Sequence, residues 1–484
     1  MAERLRVVVA GHVNAGKTSL VRTLVRQAGF GSVAALPGTT LRNAHVGAGG
    51  GAAEGEASID WVDAPGFEEP ALLAARFAAL TQPGTVERLR ALLRQPEVVA
   101  EYPHEWRALS AALDADLVLL VVDSVELVLP KHRAGIELLQ ACGRPVLMLL
   151  NRPAHPQSQA EAWEAAAAGH GLRAVMRFDA CQPEAAAWPA LWRQLGAALS
   201  VPSLEPAWQA ACQHRHQASL VAIADAIVSL AARRETLPAA VAGDPREKEQ
   251  ATAAFREAVL AAAGAARQAL IARHGFEGQD PARGGLKAVD GRWEDDLFNP
   301  EVLKDAGGKL AGGAALGAAI GLGADVALAG LSLGAGTAVG AAVGGIASQG
   351  FSAFSRKVLN RLTGQLDLSV EDGVLVVLAD SLLGLLQALE ARAHGAGGPW
   401  AWPMGVALVP DAQAALLEAA RPARGHPEWA TAAGAEMDEA DEPAARRRAV
   451  EAVAAVLGAL PARAWSEANA TPAVAGQGAV RLVS

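Results

Sequence analysis

The stretch Gly11-His12-Val13-Asn14-Ala15-Gly16-Lys17-Thr18 fits the pattern G-x-x-x-x-G-K-[ST]. Residue types in that order suit a phosphate chain. Glycines let main-chain N–H groups approach phosphate oxygens. Lys17 brings an ammonium to the β and γ phosphates, and Thr18 offers a hydroxyl to Mg²⁺. A helix beginning at Lys17 and Thr18, with Ser19 in its first turn, adds the partial positive charge of its N-terminus. Gly11 through Ser19 are therefore the expected nucleotide-contacting residues. The His12 imidazole reads first as a loop side chain facing solvent and second as a phosphate contact.

Asp63-Ala64-Pro65-Gly66 follows about 45 residues after Lys17. An Asp at a strand tip holds Mg²⁺ through water, and Gly66 presents its N–H to a γ-phosphate. Between the two motifs lies Pro37-Gly38-Thr39-Thr40. A Thr here completes the Mg²⁺ shell only when the γ-phosphate is present, which makes the segment a switch.

These residues need a scaffold of strands that end where they begin. Residues 5–10 read as a buried strand and 17–28 as a helix. Gly-rich 47–55 reads as a loop or hairpin, and Ser58–Val62 as a strand ending at Asp63. Residues 69–113 are helical, broken by Pro83, Pro96 and Pro103. Apolar strands at 117–122 and 145–150 alternate with helices at 131–141 and 184–199, with a weaker strand at 173–178. Strands alternating with helices predict a mostly parallel sheet covered on both faces. Beyond Pro202 and Pro206 the composition becomes helical, with helices predicted at 207–234, 246–274, 352–362, 371–394, 411–420 and 442–459 and a linker at 276–300. His214 and His216, two apart on a helix, face away from each other, and a metal site there is not expected. The acidic run Asp438 to Glu442 followed by Arg446-Arg447-Arg448 reads as a helix start and a solvated face.

The order GHVNAGKT, PGTT, DAPG resembles the Era- and TrmE-like branch of the translation-factor-related GTPases, over about residues 5–200. The resemblance implies a Ras-like α/β fold, Mg²⁺, and a GTP/GDP switch. In register with the family, Thr40 is the metal-sensing Thr, with Thr39 second. Asn14 occupies a position that helps bind K⁺ beside the phosphates, where an arginine finger otherwise acts. Phe67 stands where a water-orienting Gln is found in Ras-type enzymes, so unassisted hydrolysis is expected to be slow and to need a monovalent cation, self-association or a partner. The expected catalytic set is Lys17, Thr40, Gly66 and Asn14; the metal set is Thr18, Thr40 and Asp63. The base motif departs from the family: Asn-Lys-x-Asp reads Asn151-Arg152-Pro153-Ala154. Asn151 is in place, but the carboxylate is missing, so GTP over ATP rests on the family. Asp179, in Phe178-Asp179-Ala180, sits where the last base-contacting loop falls and reads equally as partial compensation or as a solvated loop Asp. Val128-Leu-Pro-Lys-His-Arg133 and Gly143-Arg-Pro-Val-Leu147 resemble a bacterial group that joins this GTPase to a C-terminal domain with a Gly-rich hydrophobic stretch.

That stretch is conspicuous. From Leu310 to Ala347 the one charged residue is Asp325. Gly313, Gly317 and Gly321 repeat at i, i+4, as do Gly336, Gly340 and Gly344. A face of Gly lets two helices approach closely, as in membrane helix pairs. Lys304 and Lys309 precede it and Arg356, Lys357 and Arg361 follow, the pattern of a hairpin with both ends cytoplasmic. Gly and Ala are barely hydrophobic, so a soluble hairpin buried in the C-terminal domain is the alternative. Trp400 and Trp402 are read as loop residues packed on the domain, or as interfacial anchors.

The expected organisation is a nucleotide-binding domain at 1–203, a helical region and linker at 204–300, the glycine-zipper hairpin at 301–362 and a helical region at 363–484. A net charge of −9 disfavours broad contact with nucleic-acid backbones. Cys142, Cys181 and Cys212 are far apart and lack metal-ligand spacing, which fits a reducing compartment. The expected location is the cytoplasmic face of the inner membrane, with GTP or GDP as ligand and 310–347 as the membrane contact. A soluble assembly GTPase acting on ribosomal or transfer RNA, a nucleotide-triggered pore or remodelling protein, and an ATP-binding regulator are the other readings.

Overall fold

A computed structural model describes residues 4–30, 42–47, 58–276, 366–396, 408–431 and 442–460. Thr39, Thr40, most of the Gly-rich 47–55 loop, the 276–300 linker beyond Phe276, the glycine rows at 310–347, the helix expected at 352–362, Trp400, Trp402 and Asp438 to Asp441 lie outside the described residues.

The first unit is built on a six-stranded sheet ordered β2-β3-β1-β4-β5-β6. Its strands are β1 (Arg4–Ala10), β2 (Arg42–Gly47), β3 (Ser58–Asp63), β4 (Leu117–Asp123), β5 (Val146–Asn151) and β6 (Val175–Arg177). All neighbouring pairs are parallel except β2 with β3, which is antiparallel. Side chains alternate across a strand, and the sequence obeys this on both faces. Val8, Ala10, Val62, Val118, Leu120, Val122, Met148 and Leu150 enter one core; Val7, Val9, Ile59, Trp61, Leu119, Val121, Leu147 and Leu149 enter the other. Two buried faces explain why β1, β4 and β5 read as unbroken apolar runs.

Helices cover both faces: α1 (Lys17–Val25), α2 (Pro70–Ala78), α3 (Thr85–Leu93), α4 (Pro96–Glu101), α5 (Pro103–Leu113), α6 (Pro130–Gln140), α7 (Ala160–Gly169) and α8 (Ala187–Leu199). Pro stands at the first turn of α2, α4, α5 and α6, where its missing N–H costs nothing. The helix expected to reach residue 28 stops at Val25, because Arg26 takes a left-handed φ of 53°. β2 carries no strand signal in its sequence, since its Arg-Asn-Ala-His run lacks strand-forming residues.

Beyond the sheet come α9 (Leu204–Ala232), β7 (Arg234–Leu237), α10 (Ala239–Gly243), α11 (Pro245–Arg273), β8 (Leu366–Ser369), α12 (Asp372–Ala391), α13 (Pro410–Ala420) and α14 (Ala444–Gly458). The chain divides into two compact units: Met1–His216 with Ala272–Gly284 and Glu390–Pro399, and Gln217–Ile271 with Gly285–Leu389 and Trp400–Ser484. In the second, β7 and β8 form an antiparallel pair. Their partners are about 130 residues apart, so local pattern did not reveal them. Among the described residues, α12 is the one helix long and apolar enough to cross a membrane, and 72% of its apolar window is buried in protein. Arg446 corrects the solvated-face expectation. It is 1% exposed, and its guanidinium pairs with Asp225 at 2.6 Å and with Glu442. Arg447 and Arg448 are exposed.

Candidate nucleotide site

The carboxyl ends of β1 and β3 bring the first two motifs together. β1 sits mid-sheet between β3 and β4, and ligands of open α/β sheets gather at such a switch point. Gly16, at φ 96°, turns the chain into α1, and a Cβ there would lie 2.2 Å from Asn151 Nδ2; only Gly fits. Asn14 also has a left-handed φ, 65°, a conformation Asn tolerates.

Lys17 Nζ donates to the His12 carbonyl at 2.6 Å, and Thr18 Oγ1 donates to Asp63 Oδ2 at 2.7 Å. Burial lowers the Lys17 ammonium to a pKa of about 8, against the opposing pull of Asp63. A hydroxyl and a carboxylate meeting beside a glycine cradle are hard oxygen donors of the kind Mg²⁺ takes, so Thr18 and Asp63 fit the metal. The loop after β3 is stitched to the cradle: Phe67 N–H donates to the Gly11 carbonyl at 3.0 Å, and Ala64 N–H to the Val9 carbonyl at 3.0 Å. Gly66 lies so close to Val13 that a Cβ would meet its backbone at 2.7 Å.

His12 does not face solvent. It is 8% exposed, and its ring packs edge-on against Phe67 at 6.0 Å and His132 at 4.5 Å between centroids. Position 12 alternates inward from the end of β1, and the imidazole fills the space beneath the loop. Burial, then the neighbouring His132 and Lys131, lowers its pKa to about 4. His132 in turn touches Glu126 Oε2 at 3.1 Å, and Trp163 Nε1 donates to the Glu126 carbonyl at 2.8 Å. Phe67 is 1% exposed and lies in the core, withdrawn from any water-positioning role. Glu105, buried on α5, accepts the N–H groups of Glu68 and Glu69 at 2.6 and 2.8 Å, fixing the start of α2. Its position carried no sequence signal.

At the end of β5, Asn151 is 5% exposed. Its Nδ2 donates to the Ala15 carbonyl at 3.1 Å, and its Oδ1 accepts the Ala180 N–H at 2.9 Å. Asp179 Oδ1 accepts the N–H groups of Cys181 and Gln182 at 2.8 and 2.9 Å, so this oxygen shapes its own loop. Arg152, at φ 56°, donates through Nε to Asp123 Oδ1 at 3.0 Å. Ala154 supplies no carboxylate.

A family profile described as a 50S ribosome-binding GTPase matches residues 6–152, and one described as a domain of unknown function, DUF3482, matches residues 165–455. The second covers more than half the chain. The chain belongs to the DUF3482 family. The N-terminal domain of this DUF3482 protein is a P-loop GTPase domain, of a family that uses GTP and GDP with Mg²⁺. No curated protein matches. Among solved structures, the chain is 16% identical to Era in complex with MgGDPNP and 16S ribosomal RNA nucleotides, covering 37% of this chain and 52% of that one at a TM-score of 0.26. It is 14% identical to a probable GTP-binding protein engB (40% and 98%, TM-score 0.25) and 21% identical to the G domain of the T. maritima FeoB iron transporter (37% and 89%, TM-score 0.21). The chain thus spans about half the length of the Era chain it matches.

Proposed function

We propose that this chain is a GTP-hydrolysing switch at the cytoplasmic face of the inner membrane. The observation that carries the nucleotide half is the convergence of Lys17, Thr18 and Asp63 beneath the Gly11–Gly16 cradle. In this reading main-chain N–H groups of residues 13–19 and Lys17 hold the phosphates. Thr18, Asp63 and Thr40 hold Mg²⁺, which neutralises charge on the β and γ oxygens. Gly66 offers its N–H to the γ-phosphate, and Asn151, aided by Asp179, faces the base. Asn14 helps seat K⁺. With Phe67 withdrawn into the core, hydrolysis is slow without that cation, self-association or a partner.

The membrane half rests on the glycine rows between Leu310 and Ala347. A second reading, an RNA-linked assembly GTPase, is favoured by the ribosome-binding description of the matched profile; the net charge of −9 opposes it. Fractionation of the intact protein with GDP or a non-hydrolysable GTP analogue tests the switch. Nucleotide-dependent recovery with membranes is expected. Recovery in the soluble fraction under both conditions ends the membrane half, and RNA that co-purifies until high salt removes it establishes the second reading. Lys17→Ala abolishes GTP binding with the fold intact; normal binding by that variant removes the nucleotide half.

A further inference from the structure

The first unit contains two short pieces of chain from far beyond its sheet, and one of them is wired to the base side of the nucleotide site. Gly395 N–H donates to Thr23 Oγ1 at 2.8 Å. Thr23, 1% exposed on α1, passes the link on by donating to the Ala180 carbonyl at 2.7 Å. Ala180 N–H donates to Asn151, whose amide reaches the Ala15 carbonyl of the phosphate cradle. A second contact runs beside the first: Cys181 Sγ donates to the Gly395 carbonyl at 3.3 Å. The fit leaves no room, since a Cβ on Gly395 would lie 2.3 Å from the Ser19 carbonyl oxygen and 2.9 Å from that of Ala180.

The piece is firmly seated. His394, 4% exposed, donates from Nε2 to the His274 carbonyl at 2.6 Å and stacks on Phe276 at 4.1 Å. The Ala28 N–H donates to the Gly275 carbonyl at 3.2 Å.

We propose that the Ala393–Ala396 turn is part of the nucleotide site, with Gly395 and Thr23 as positioning residues that set affinity for the guanine nucleotide by holding the Asp179–Cys181 loop against Asn151. The inference rests on the nucleotide reading above. Its chemistry follows from Ala154: with no carboxylate on the base, binding leans on a loop that must be held in place beforehand, and preorganisation is where affinity is gained. By reciprocity, a nucleotide that favours the held loop also favours the seated turn.

The test uses the full-length chain and fluorescent GDP. Gly395→Val and Thr23→Val are each expected to weaken GDP and a non-hydrolysable GTP analogue by the same factor, about tenfold, the loss of one or two net hydrogen bonds. KM rises while kcat at saturation stays unchanged, a split that general loss of fold does not give. In the unmutated chain, GDP slows amide exchange at 393–396. If Gly395→Val does not fold, Thr23→Val and the exchange measurement decide. Wild-type GDP affinity in Thr23→Val with no GDP-dependent protection of 393–396 overturns the inference and leaves the nucleotide reading standing. An unmutated chain that binds no GDP overturns both.

Discussion

Asn151 and Ala15 are joined across 136 residues: the side-chain amide of one donates to the carbonyl of the other at 3.1 Å. The same side chain accepts the Ala180 N–H, so one amide ties the Gly11–Gly16 turn to the loop after Phe178. Asn151→Ala leaves a buried carbonyl and a buried N–H unpaired. An unpaired buried group costs about 1–3 kcal/mol. GDP affinity measured by calorimetry is expected to fall about 10–100-fold, and a change of less than threefold contradicts this role.

Phe67 points into the core between His12 and α6, where a Cβ added at Gly135 would meet its ring at 3.2 Å. Replacing it with the Gln found in Ras-type enzymes therefore does not place an amide over a water. Phe67→Gln is expected to lose about 2–4 kcal/mol of stability through lost packing and a buried amide, with no gain in GTP turnover. Phosphate-release kinetics beside thermal unfolding check both parts; faster turnover at unchanged stability contradicts the geometry.

His274 and His394 are 1% and 4% exposed. Burial first, then Arg26 and other nearby cations, lowers both to a pKa of about 3 from 6.5. The unfolded chain therefore binds more protons than the folded one between those values. Stability of the first unit is full above pH 6.5 and declines as pH falls toward 3, at about 1.4 kcal/mol per pH unit for each His. Urea unfolding from pH 7 to 4, followed by the fluorescence of the first unit's tryptophans, should give a falling midpoint. His394→Gln should flatten the slope by one proton.

Arg446 is buried against Asp225 and Glu442. Arg446→Ala removes a buried guanidinium from two partly exposed carboxylates, and losing hydrogen bonds to a charged group in this way costs about 1.5–3 kcal/mol. Chemical denaturation of the second unit reports it. A shift within about 0.5 kcal/mol, typical of surface sites, restores the solvated-face reading of the Arg446 to Arg448 run.

Much of the first unit was legible in the sequence because its signals are local. Runs such as Leu117–Val122 are apolar at every position, and Pro punctuates the helices that follow. The glycine turn into α1 was legible for the same reason, with Gly16, Lys17 and Thr18 contiguous. What the sequence hid lies in pairings across long separations. His12 looked like a loop residue until His132, brought in by α6, closed over it. β7 and β8 meet across the whole middle of the chain. Thr23 and Gly395 are 372 residues apart, and neither type nor spacing connects them. Arg446 looked solvated because its partner Asp225 belongs to another helix.

The seating of Gly395 against α1 also bears on how the protein is made. A ribosome adding about 5–20 residues per second emits the sheet early, yet needs roughly another 10–40 s to release the turn that completes the same unit. During that interval the backs of Thr23 and Ala180 are bare, and the nascent sheet has to wait for a late arrival. A part made early is thus among the last to be finished, and synthesis that stalls before residue 396 leaves an incomplete unit for chaperones to shelter.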